Sequence, residues 1–156
     1  MKENLNMLYE IFNPRRIKLD LEAKTKEDVL EELVKTIADP ASELDSRVLL
    51  KAVELRESKM NTIIRPGIAV PHGYCSAVNG IVGAIGFSSA GIEYSAPVNR
   101  AVKPVHLFFL LIMDESSRER HLYVLSRLLE LLNSPAFTEM QGTESPQAVY
   151  DLLRRF

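Results

Sequence analysis

A chain of 156 residues can bury one substantial core and does not need a second domain, so one domain over residues 1–156 is expected. Hydrophobic residues at 46% and charged residues at 26% exclude a disordered chain, and a net charge of −2 gives no electrostatic reason to expect nucleic acid or an anionic membrane as the main partner. The lone cysteine, Cys75, excludes an internal disulfide; no apolar run approaches the roughly 18 residues of a membrane helix, and Met1-Lys2-Glu3-Asn4 lacks a signal-peptide core, so a cytoplasmic location without membrane insertion is expected.

Leu5 to Phe12 carries Leu5, Leu8, Ile11 and Phe12 at helical spacing and closes at Asn13-Pro14. Ile17, Leu19 and Leu21 alternate with Lys18, Asp20 and Glu22, the period of a half-buried strand. Thr25-Lys26-Glu27-Asp28 opens a helix with Val29, Leu30, Leu33, Val34 and Ile37 on one face, stopping before Pro40. Asp45 or Ser46 caps the next, whose apolar positions are Val48, Leu49, Ala52, Val53 and Leu55 and whose end is the polar run Arg56-Glu57-Ser58-Lys59.

The run Gly67 to Val70 is then stopped by Pro71, which cannot donate to a sheet ladder and biases Val70 toward an extended backbone. His72 is therefore expected at a strand exit, exposed and rigidly mounted, with Gly73 leaving room for backbone or ligand beside it. Between Pro66 and Asn99 the only charge is Glu93, and six of the seven glycines fall in the same window. Buried strands and tight turns explain most of that, and a smooth, uncharged surface around His72 would suit protein docking.

Gly80 to Phe87 is the next strand, followed by a turn-rich passage to Pro104. Val105 to Met113 is apolar except for His106 and is expected as a central strand, with His106 structural. Ser116-Ser117-Arg118-Glu119 starts a helix to about Leu132, with Leu125, Leu128, Leu129 and Leu132 inside and His121 on the same face. Ser145-Pro146 begins a last helix carrying Ala148, Val149, Leu152 and Leu153. Strands interspersed with amphipathic helices give the α/β class: a mixed β-sheet sandwiched by α-helices.

The segment Gly67-Ile68-Ala69-Val70-Pro71-His72-Gly73 resembles the active-site signature of the fructose/mannitol-type (type 2) enzyme IIA domains of the bacterial phosphoenolpyruvate-dependent phosphotransferase system. The resemblance extends to Leu55-Arg56-Glu57, Thr62, the strand at 105–112 and His121-Leu122-Tyr123-Val124-Leu125-Ser126-Arg127-Leu128. It implies that His72 accepts a phosphoryl group from the carrier protein HPr, or its nitrogen-branch counterpart, and passes it to an EIIB domain. It further implies that His121 supports the site and that Arg56 stabilises the phosphorylated form. Neither a cofactor nor a metal is implied, and nitrogen-type members of the family instead control partner proteins.

The chemistry of these side chains is compatible with that role. Neutral imidazole is a competent nucleophile near neutral pH, and the second ring nitrogen must be held as a donor by a fixed acceptor, either nitrogen being eligible from sequence. Arg56 offers a planar fork to oxygens and Thr62 a hydroxyl; His121 is either a core histidine or a phosphoryl contact at the positive end of its helix. A competing arrangement is a zinc site made of His72, Cys75 and His121, His106 being a possible fourth ligand. No glycine-rich phosphate loop or dinucleotide fingerprint occurs, which argues against direct use of ATP or NAD.

Overall fold

The computed structural model describes residues 7–94 and 103–156. Leu5 and the part of the turn-rich passage between 95 and 102 lie outside the described residues. Among those described, no helix is long and apolar enough to cross a membrane.

The architecture is a six-stranded mixed sheet covered by helices on both faces. Helix α1 (Leu8–Ile11) leads through one 3-10 turn (Pro14–Arg16) into β1 (Ile17–Lys18). The alternation expected over 17–22 survives past the short β1, since Leu21 N donates to the Phe87 carbonyl. Helices α2 (Lys26–Ile37) and α3 (Ser46–Glu57) follow, capped by Thr25 and Asp45 as their side chains suggest. Then come β2 (Ile63–Arg65), β3 (Ile68–Ala69), β4 (His72–Tyr74), β5 (Ile81–Ile92) and β6 (Val105–Met113). The chain ends in α4 (Arg118–Leu132), α5 (Pro135–Gln141) and α6 (Pro146–Arg155).

The strand order is β1-β5-β6-β3-β2, with β4 also paired to β6. β6 is central, as its nearly unbroken apolar run requires: every residue from Leu107 to Met113 is buried. It pairs antiparallel with β5 and parallel with β3 and β4. Arg65 and Ile68 face each other across Pro66-Gly67, and Gly67 at φ 86° supplies the positive dihedral that a tight turn with proline before it needs.

Two cores flank the sheet. One joins α1, α4, α5 and α6 through Leu8, Ile11, Phe109, Leu111, Val124, Leu128, Leu131 and Leu152. The other joins α2 and α3 through Val29, Leu33, Leu49, Val53, Phe108 and Leu110. Alternate β6 residues serve opposite cores, as the two-residue period of a strand dictates.

Several faces differ from expectation. On α3 the inner stripe is Leu49, Val53 and Glu57, one turn apart, which leaves Val48 and Leu55 exposed. On α4 it is His121, Val124, Leu128, Leu131 and Leu132, with Leu129 turned outward. Ser116 and Ser117 make no capping box: both hydroxyls donate to Asp114 Oδ1, at 2.8 and 2.7 Å, while Asp114 Oδ2 holds the Gly80 amide at 2.9 Å. The start of α4 is thereby tied to the start of β5.

Candidate active site

His72 opens β4 instead of closing a strand. Its register on β6 runs on from β3, with Ala69 opposite Phe108 and His72 opposite Leu111, so β3 and β4 are two pieces of one parallel strand. Pro71 separates them: it donates nothing, yet its carbonyl accepts from Leu111 N at 2.9 Å and keeps the pairing in step. Side chains of Ile68, Val70, His72 and Tyr74 share the face toward α4, and Ala69, Gly73 and Cys75 share the face toward α3.

The expected exposure of His72 is not found. The residue is 9% accessible, because its ring lies under the start of α4, against His121 at 4.7 Å between ring centroids. Gly73 also has a more specific role than access. A Cβ there would stand 2.8 Å from the carbonyl carbon and oxygen of Ala52 and 2.9 Å from Val53 N, so the missing side chain admits the backbone of α3.

The chain itself orients the imidazole. His72 Nδ1 lies 2.9 Å from the Val70 carbonyl, an acceptor only, so Nδ1 carries the proton and Nε2 the lone pair in the neutral ring. Val70 is held in turn, its amide donating to the Thr62 carbonyl at 2.9 Å. Burial lowers the pKa of His72; the Val70 carbonyl opposes this, nearby Arg56 adds to the lowering, and Glu57 opposes it. His121 is pushed down to about 4 by burial first, then by His72 and Arg56. Both rings are therefore neutral at pH 7.

These shifts make stability depend on pH with a definite sign. The folded-state pKa of each histidine lies below its unfolded value near 6.5, so between the two values the unfolded chain binds more protons. The histidine contribution to stability is complete above about pH 6.5 and falls as pH drops toward about 4. Urea midpoints measured from pH 7 to pH 4.5 should decline, and His121→Asn should flatten that decline.

Arg56, half-buried at the end of α3, donates from Nη1 to the Met60 carbonyl at 2.8 Å, and its positive field reaches both histidines. Glu57 is the residue that sequence reasoning underrated. It stands in a run that looks solvated, but it is buried: Oε1 accepts from Thr62 Oγ1 and, at 2.8 Å, from Tyr94 OH, and Oε2 pairs with Lys26 Nζ at 3.0 Å. The Thr62 hydroxyl is thus directed at Glu57 and not at the histidine pair. The four side chains come from α2, α3, the segment before β2 and the segment just after β5, and they fix the α3 terminus from which Arg56 projects. Exposed Leu55, Met60 and Leu122 adjoin this machinery in the sequence.

The zinc arrangement fails on geometry. Cys75 is buried in the α3-side core, and His72 and His121 meet on the α4 side. Among the described residues no group of three His, Cys, Asp or Glu side chains is placed to hold a metal ion. His106 is separate from the pair, its Nδ1 on the Ser88 carbonyl at 2.8 Å, in keeping with a structural role.

Residues 10–156 match the family model described as phosphoenolpyruvate-dependent sugar phosphotransferase system, EIIA 2. The chain is 34% identical over 148 residues to the PTS system fructose-specific EIIABC component of Bacillus subtilis, covering 94% of this chain but only 23% of that protein's length. It is 30% identical over 138 residues to the PTS system fructose-specific EIIA component of Haloferax volcanii, covering 88% of each. Its fold is similar to that of nitrogen regulatory protein IIA-Ntr from Neisseria meningitidis, with a TM-score of 0.81, 28% identity and coverage of 95% and 99% of the two chains. With its family model matched over nearly its whole length and its fold shared, the chain belongs to the type 2 EIIA family of the phosphoenolpyruvate-dependent sugar phosphotransferase system.

Proposed function

We propose that this protein is a phosphocarrier in which Nε2 of His72 takes a phosphoryl group from an HPr-like carrier protein and hands it to an EIIB domain in sugar uptake of the fructose type. One observation carries the reading: Nδ1 of His72 is committed to the Val70 carbonyl, so the lone pair resides on Nε2, in a ring packed against a second neutral histidine. The Nε2 lone pair attacks phosphorus, the Nε2–P bond forms as the bond to the donor breaks, and the reverse exchange delivers the group to the next acceptor. Little covalent chemistry is asked of the protein beyond placing the groups and meeting charge.

Arg56 and His121 take supporting roles. The guanidinium contributes a fixed positive charge near the phosphoryl oxygens, and the buried Nε2 of His121, which has no hydrogen-bond partner among the described residues, contributes a polar contact. The apolar side chains of Leu55, Met60 and Leu122 suit the approach of a protein in preference to a small metabolite. The fructose-specific names of two relatives favour the sugar branch. A second reading, a nitrogen-type regulator acting on target proteins through its phosphorylation state, is favoured by the likeness to IIA-Ntr over nearly the full length of both chains.

The test is to phosphorylate the 15N-labelled protein through HPr and locate phosphorus by its coupling to the ring nitrogens. Phosphorus on Nε2 of His72 is the expected result; phosphorus on Nδ1, or on another residue, overturns the mechanism. Adding a fructose-type EIIB then separates the branches, since discharge of the label favours transport and retention favours regulation.

A further inference from the structure

The histidine pair leaves one buried atom without a partner among the described residues, and a tyrosine beside it bears on how that atom is used. Tyr74 shares the α4-facing side of β4 with His72. Its hydroxyl lies 3.4 Å from Nδ1 of His121, and the two rings meet edge to face, with centroids 6.3 Å apart and planes at 88°. The Arg118 guanidinium lies over the phenol ring, 4.8 Å from its centroid, and is held there by Glu115 at 2.9 Å. Nε2 of His121 is fully buried and makes no hydrogen bond among the described residues. A buried polar atom left this way is unfavourable, so the folded protein carries an interaction still to be made.

We propose that Tyr74 is a positioning residue for phosphoryl transfer: its hydroxyl donates to Nδ1 of His121 and so keeps the proton of that ring on Nε2, where an oxygen of the phosphoryl group on His72 accepts it. The inference rests on His72 being the carrier. Its logic is that of a ring with a single proton. With the proton on Nδ1, the lone pair of Nε2 would face an anionic group and repel it; with the proton on Nε2, the same atom becomes a donor to that group. Only an outside donor at Nδ1 selects the second state, and the Tyr74 hydroxyl is placed to be that donor. The packing of Arg118 over the ring limits its rotation away from His121.

The experiment uses full-length 15N-histidine protein, wild type and Tyr74→Phe, at pH 7.5. Nitrogen spectra report the His121 tautomer, rapid quench reports phosphoryl uptake from HPr, and thermal melting reports the fold. The wild type should hold His121 with its proton on Nε2. Tyr74→Phe should mix the tautomers and slow transfer about fivefold, the equivalent of one ordinary hydrogen bond, while melting is nearly unchanged. A wild-type His121 protonated on Nδ1 overturns the proposal, and this result needs no variant. A Tyr74→Phe protein in which either the tautomer or the rate stays as in the wild type also overturns it. If phosphorus proves to lie elsewhere than on His72, its coupling to the ring nitrogens shows that and the carrier assignment is what fails, whereas the His121 tautomer, read before any phosphorus is added, tests the present proposal by itself.

Discussion

Replacing His72 with alanine should give a folded protein that takes no label from phosphorylated HPr. The expectation follows from how the proposed nucleophile is held. Nδ1 is occupied by the Val70 carbonyl, and neither other histidine can substitute: His121 has its free nitrogen buried, and His106, although its Nδ1 is likewise held by a carbonyl, that of Ser88, stands apart from the pair. Folding should survive, because the imidazole makes one side-chain hydrogen bond and is an uncharged, desolvated group whose removal also relieves a polar burial. Rapid-quench labelling checks the first part and a urea midpoint the second. Label incorporated at the wild-type rate would transfer the carrier role to another residue.

Gly73→Ala should be the most damaging single-methyl change near the site. The backbone of Gly73 is not in the left-handed region, so alanine can adopt its dihedrals, and reduced freedom of the unfolded chain would add about 0.4–1 kcal/mol of stability. Against this, the new Cβ meets backbone atoms of Ala52 and Val53 at 2.8–2.9 Å, and helix backbone cannot rotate aside as a side chain can. Overpacking of this kind costs about 1–3 kcal/mol, and a contact with main chain belongs at the upper end, so the clash wins. A loss of about 2–3 kcal/mol corresponds to a fall of about 4–12 °C in melting temperature for a chain of this size. Transfer should slow as well, since relief requires β4 to move away from α3 and His72 moves with it. Unchanged melting would mean that the two backbones are less closely apposed than the structure has them.

The legible parts of the site were those encoded locally. Pro71 and Gly73 around a histidine, and His121 four and seven residues ahead of Leu125 and Leu128, are patterns a short window contains. The α2 face was complete in the sequence because all five of its apolar residues are buried. What escaped depends on contacts between distant segments. Glu57 reads as solvated until Lys26, Thr62 and Tyr94 are brought to it from three other parts of the chain. The burial of His72 comes from α4, nearly fifty residues later in the chain, and the purpose of Gly73 comes from a helix earlier in it. Leu55 and Leu129 satisfied helical spacing yet face outward, since periodicity gives a stripe its rhythm but not the centre of its arc. The helix α5 was missed, being a seven-residue segment whose first residue is the proline of the pair Ser134-Pro135.

The in-step alignment of β3 and β4 along β6 makes assembly of the histidine pair all or none. Sliding by one position would swing the imidazole through the sheet to the layer that holds Cys75 and Val53, and bring the next residue round to His121 in its place. No intermediate alignment presents a half-built nucleophile. Substitutions that loosen the central strands should therefore divide the molecules into competent and silent populations, and kinetics would record fewer working copies, each turning over at its full rate.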